Sequence, residues 1–132
     1  MSTIITEIKD RNRFVEILQS NPGLFIIKFG AKWCGPCKMI DEGIQSLFER
    51  LPSQYQTAII DIDECTDVYS FLKAKRMVNG IPVILCYKQG NLGPVPDDMV
   101  VGADTKKINE FFARCSTYIP PLKPLSSSSS TC

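Results

Sequence analysis

The sequence contains no histidine. That absence removes a Ser-His-Asp triad, a Cys-His protease pair and any zinc or haem site that depends on an imidazole. Net charge is nearly absent too: 15 Lys and Arg against 14 Asp and Glu leave +1. The chain therefore carries no electrostatic footprint for nucleic acid or for an acidic membrane surface. No stretch approaches the ~18 consecutive apolar residues of a membrane span. The first ten residues, Met1 to Asp10, hold no basic start followed by an apolar run, so no secretory leader is expected. These absences predict a cytoplasmic protein with neither a membrane nor a nucleic-acid partner.

What is present is ordinary apolar content and six cysteines. Hydrophobic residues make up 44% of 132 residues, enough for one domain with its own core. The cysteines are Cys34, Cys37, Cys65, Cys86, Cys115 and Cys132. An even count is compatible with a disulfide framework. A chain that can build a core without staples, in a reducing compartment, points instead to buried thiols with catalytic or metal-bound exceptions.

The hydrophobic pattern predicts strands and helices in the order β-α-β-α-β-α-β-β-α. Strands are expected at Ile4–Ile8, Leu24–Phe29, Thr57–Asp63, Val83–Tyr87 and Val100–Gly102. Helices are expected at Arg11–Ser20 with Asp10 as cap, Cys37–Leu51, a segment through Lys75 capped by Asp63 or Thr66, and one opened by Asp104 or Thr105. The alternating part requires parallel pairing through crossover helices, and the last two strands pair antiparallel. The expectation is a mixed central sheet of four to five strands with helices on both faces. Residues 1–118 form the domain, and 119–132, with Pro120, Pro121, Pro124 and Ser126 to Ser130, read as a disordered tail.

Trp33-Cys34-Gly35-Pro36-Cys37-Lys38 lies where a buried strand gives way to a helix. Two cysteines separated by two residues can close a small disulfide ring. A helix start adds free amides and a positive dipole end, which stabilise the Cys34 thiolate. Pro36 in the first turn loses no hydrogen bond and stiffens the loop. Cys34 is then the thiolate that attacks a target disulfide, and Cys37, further into the helix, resolves the mixed disulfide. Half a zinc site is the competing reading. It needs a second cysteine pair or histidines, so no metal is expected.

The run Trp33 to Lys38 resembles the active site of thioredoxins residue for residue. Asp61-Ile62-Asp63-Glu64-Cys65 resembles that family's third strand and turn, Gly80-Ile81-Pro82 its cis-proline loop, and Val101-Gly102-Ala103 its last strand and glycine. The match covers roughly residues 4–116. The resemblance implies a thioredoxin fold and a protein-disulfide reductase needing no cofactor. Its partners are disulfide-bearing protein substrates and an electron donor of the thioredoxin-reductase type; a monomer is the expectation for a domain of this size. It further implies a cis Pro82 beside the Cys34–Cys37 disulfide. An apolar patch of Trp33, Gly80, Ile81 and Gly102 receives the target, with the Ile81 backbone pairing with an extended segment.

The chain departs from the family in two places. Thioredoxins usually carry a buried aspartate six residues before the first cysteine, paired with a lysine on the third strand, and that carboxylate serves the resolving cysteine. Here the two positions are Lys28 and Ile59, so that pair is absent. Burial favours the neutral form of an amine. Lys28 would act as a neutral base, or stay charged and stabilise a thiolate, or pack its stem while the amine snorkels to water. The connection from Gly90 to Gly102, with Pro94, Pro96, Asp97 and Asp98, is longer than the family's and is expected to bear on partner choice. Among the other thiols, Cys86 and Cys115 read as small buried hydrophobes. Cys65 reads as a regulatory or a structural thiol, and Cys132 as exposed. Two alternatives stand beside the reductase: a redox-silent binding module using the same patch, and a disulfide oxidase or isomerase.

Overall fold

Strands and helices follow one another as β1 (Ile4–Ile5), α1 (Arg11–Gln19), β2 (Leu24–Gly30), α2 (Gly35–Arg50), β3 (Tyr55–Asp61), α3 (Thr66–Ala74), β4 (Val83–Lys88), β5 (Asp98–Val101) and α4 (Thr105–Ser116). This is a computed structural model, and it describes residues 3–76, 78 and 80–119. Ile119 packs on the core. The rest of the expected tail, with Cys132, lies outside the described residues.

The five strands form one sheet in the order β1-β3-β2-β4-β5. β2 is central and buried along its whole length, as its near-continuous apolar run requires. Its alternate side chains feed two cores. Phe25, Ile27 and Phe29 join Phe14, Ile17 and Leu18 of α1 and Val68 and Leu72 of α3. Leu24 and Ile26 join Ile40, Ile44 and Phe48 of α2 and Ile108 and Phe111 of α4. Lys28 and Gly30 belong by period to this second face, toward α2.

One strand corrects the parallel expectation. β1, β3 and β2 are mutually parallel, but β4 runs antiparallel to β2. A helix between two strands allows either direction, because the chain leaving α3 can turn before it re-enters the sheet. The reversal has a functional consequence. Val83 pairs with Phe29, so Pro82 and Ile81 arrive at the end of the sheet from which β2 runs on to Cys34. The same reversal sends the connection after β4 to the opposite end, where Lys88 pairs with Leu24. A strand of this length puts that connection about 20 Å from the redox pair. It is stapled there: Tyr87 donates its hydroxyl to the Pro94 carbonyl at 2.9 Å, and Asn91 Nδ2 donates to the Val95 carbonyl at 2.8 Å. The segment expected to tune partner choice thus begins away from the disulfide.

Helix ends follow their chemistry with one exception. The Asp10 carboxylate accepts from Arg13 N and caps α1, and the Asp104 carboxylate accepts from Lys106 N and caps α4. α3 is capped by neither Asp63 nor Thr66. Its N-cap is Cys65, without a side-chain hydrogen bond. Asp63 is otherwise engaged, as shown next.

Candidate active site

α2 begins two residues earlier than the apolar periodicity indicates, at Gly35, with Pro36 in its first turn and Cys34 as N-cap. This makes the Cys34 sulfur itself the capping group: it accepts the Cys37 backbone N–H at 3.2 Å. The Cys34 carbonyl accepts the Lys38 N–H at 3.1 Å. The helix start therefore directs a donor and the positive end of its dipole at one sulfur. Cys34 and Cys37 are joined by a disulfide, with Cα atoms 5.2 Å apart. Cys34 keeps 6% of its surface exposed and Cys37 1%.

The sulfurs pack with Ala31, Ile62 and Ile81. The Ile81 carbonyl oxygen lies 3.9 Å from Cys34 Sγ, and the Ile81–Pro82 peptide is cis. Gly102 donates its N–H to the Pro82 carbonyl at 2.8 Å. Its φ of +94° is one that a side chain disfavours. Nothing lies within 4 Å of where a Gly80 Cβ would sit, so the surface beside Ile81 is open. Trp33 is 67% exposed. Its indole Nε1–H donates to Asp63 Oδ2 at 2.7 Å, which takes Asp63 away from the α3 cap. Gly35, Pro36 and Lys38 are exposed around the pair.

Lys28 does not snorkel. It is 2% exposed, and its Nζ forms an ion pair with Asp41 Oδ1 on α2. A Lys–Asp pair is thus present after all, with the charges drawn from other elements than expected. The sequence carries the signal in retrospect: Asp41 is one helical turn beyond Cys37 and so shares its face. Cys65 is buried at the edge of the first core, which favours its structural reading. Among the described residues no group of three His, Cys, Asp or Glu side chains is placed to hold a metal ion.

A family model described as thioredoxin matches residues 5–114. The chain belongs to the thioredoxin family. It is 32% identical to thioredoxin-2 of Saccharomyces cerevisiae over 113 residues, covering 83% of this chain and 97% of that one. It is 33% identical to Homo sapiens thioredoxin over 91 residues, 66% of this chain and 79% of the relative. The fold agrees with the solved structure of Trichomonas vaginalis thioredoxin, with a TM-score of 0.68 at 22% identity over 83% of this chain and 96% of that one. For the Nicotiana alata thioredoxin the TM-score is 0.67 at 24% identity over 91% and 96%. The thioredoxin family and its joined Cys34–Cys37 pair make this chain a thiol–disulfide oxidoreductase with reductase activity. The family implies disulfide-bearing substrates and a reductase that supplies the electrons.

Proposed function

We infer that this thioredoxin-family reductase acts on protein disulfides with Cys34 as the attacking thiolate and Cys37 as the resolving thiol. The observation that carries the assignment is the cap: the Cys37 N–H points at the Cys34 sulfur, and Cys34 is the more exposed of the two. Attack by Cys34 forms a mixed disulfide and releases one target thiol. Attack by Cys37 on Cys34 then releases the second and closes the Cys34–Cys37 disulfide. An extended target segment would lie over Trp33, Gly80, Ile81, Pro82 and Gly102 and pair with the Ile81 backbone. A monomer working in a reducing, cytoplasmic compartment fits three further cysteines, Cys65, Cys86 and Cys115, that are buried and free.

Insulin disulfide reduction tests the assignment. Cys34→Ser is expected to abolish it, and Cys37→Ser to accumulate target-linked mixed disulfides. Full activity in the Cys34 variant would overturn the reading. The reduction potential of the couple, measured against glutathione, then sets the direction of electron flow. A value well below glutathione marks a reductant, and one well above it brings the oxidase or isomerase reading to the front.

A further inference from the structure

A single apolar side chain left in water is ordinary, whereas a run of them on one face marks a surface that something covers. Among the described residues six large hydrophobic side chains are exposed. Trp33 and Met39 flank the redox pair in sequence. The other four, Leu92, Val95, Met99 and Val101, all lie on β5 and the connection that leads into it.

These four share one side of the sheet. Val100 is buried in the second core, so Met99 and Val101 point to the opposite face. They stand across from Leu85 and Val83 of β4, which belong to the first core. The connection folds onto the same side: a Cβ on Gly93 would lie 3.0 Å from Leu18 and 3.6 Å from Phe14, both on α1. β5 is the edge of the sheet. The first core reaches β4 through Val83, Leu85 and Tyr87 and takes in no residue of β5, so this face of the last strand is open.

The strip is held in place before anything meets it, which lowers the cost of binding. Asn91 Nδ2 donates to Asp97 Oδ2 at 2.9 Å as well as to the Val95 carbonyl, and Asn91 Oδ1 accepts the Gly93 N–H at 2.7 Å. Asp97 also accepts the Lys88 N–H at 2.7 Å, and Asp98 is bound to Arg114. Both carboxylates beside the strip are thus engaged, and an apolar occupant meets neither of them free. At its other end Val101 runs directly into Gly102, which is bonded to Pro82. A target lying over Ile81 and Gly102 therefore continues onto Val101. A second copy of the chain laid on the strip would cover Gly102 and block the target, which favours the substrate as occupant.

We propose that Leu92, Val95 and Met99, joined to the target patch through Val101, form a second contact for protein disulfide substrates. It takes apolar side chains of an extended target segment about six residues from the attacked cysteine, the number that spans about 20 Å of strand. The proposal deepens the reductase reading and rests on it. The exchange at Cys34 and Cys37 is unchanged; the strip selects which protein disulfides reach it, favouring unfolded segments rich in apolar side chains.

Stopped flow with the reduced protein tests this, with fluorescence of Trp33, the chain's one tryptophan, as the signal. Four peptides share one disulfide ring and differ in an arm on its N- or C-terminal side, with three leucines or three serines centred about six residues from the ring. On one of the two sides the leucine arm is expected to raise the second-order rate constant about tenfold over the serine arm. Combining Leu92→Gln, Val95→Gln and Met99→Gln should remove that gain, and Val95→Gln alone should cut it about threefold. A small coloured aromatic disulfide, too short to span the strip, should react with all these proteins at one rate. Equal rates for leucine and serine arms on both sides overturn the proposal, as does a gain that the triple variant keeps. If the triple variant does not fold, Val95→Gln decides, and an undiminished gain there overturns it. Sedimentation that shows a dimer in the parent and a monomer in Val95→Gln would assign the strip to a second copy instead. A protein that reduces neither the peptides nor the small reagent overturns the reductase reading itself, which is a distinguishable failure.

Discussion

Two pairs of cysteines sit in this molecule in opposite surroundings. Cys34 and Cys37 stand at the start of α2, where the Cys37 backbone N–H reaches the Cys34 sulfur. Cys86 of β4 and Cys115 of α4 are fully buried in the second core among Leu24, Ile26 and Phe111. The hydrogen bond with Cys115 and then burial push the Cys86 thiol far up, and the nearby carboxylates Asp97 and Asp98 push it the same way. The side chains in the two pairs are identical. What differs is whether the surroundings favour an anion. A helix start does, and an apolar core flanked by carboxylates does not.

The largest expected effect tests that contrast directly. After reduction, timed alkylation at pH 7 with site-resolved mass spectrometry should label Cys34 at least about a hundredfold faster than Cys86 or Cys115, because thiolate fraction and access both favour it. The second pair should stay unmodified until denaturant is added. Labelling of Cys86 in the native protein at a rate near that of Cys34 would break the comparison.

A pair of substitutions should separate the roles next. Cys86→Ser places a hydroxyl in the second core, with an expected loss of about 1–3 kcal/mol in urea unfolding and an unchanged rate of insulin reduction. Cys34→Ser should do the reverse, removing activity while the urea midpoint of the reduced protein barely moves. If Cys86→Ser lost activity without losing stability, the second pair would belong to the chemistry.

Much of this was legible in the sequence, because the relevant rules are local. The WCGPCK run, the Asp10 and Asp104 caps and the unbroken apolar run of β2 each depend on neighbours a few residues away. What was not legible depends on elements meeting in space. The direction of β4 follows from how the chain turns after α3, and that turn decides which end of the sheet receives Pro82 and which receives the long connection. The partner of Lys28 depends on the height at which α2 crosses β2. Asp41 carried the right spacing from Cys37, but only packing brings it to a lysine on another element. Asp63 looked like a cap because it precedes a helix, and it is the fold that brings the Trp33 indole to it.

Gly30→Ala sharpens the comparison from the first pair's side. The added methyl would meet Lys28 Nζ at 3.2 Å and Cys37 Sγ at 3.3 Å. Both neighbours must give way, and the expected loss is about 1 kcal/mol, at the low end for an overpacked site because the lysine end can move. Urea unfolding of the oxidised protein measures it. An equal or greater stability would mean that the space beside Cys37 is slack.

The smallest effect belongs to the second pair's acidic flank. Asp98 ties β5 to the end of α4: it accepts from Arg114 Nε at 2.8 Å and Nη2 at 3.0 Å, and from the Tyr118 hydroxyl at 2.7 Å. These bonds, Arg114 first, hold its carboxyl below the usual carboxylate range despite some opposing desolvation. A carboxyl lowered in the folded state contributes stability that is fully present above its unfolded value, about 3.9. That contribution is lost as the pH falls through the lower, folded value. Asp98→Asn should therefore be slightly less stable than the parent at pH 7, with the two unfolding curves converging in acid. The difference should be small because Arg114 is largely solvated and water screens the pair. Insulin reduction should not change, since the described neighbours of Cys34 and Cys37 are Ala31, Ile62 and Ile81, none of them bonded to Asp98. A stability gap that persists undiminished in acid would show that Asp98 matters through packing and not through charge. The carboxylates beside Cys86 would then be incidental to the anion-hostile character of that region, and burial alone would account for its inert thiols.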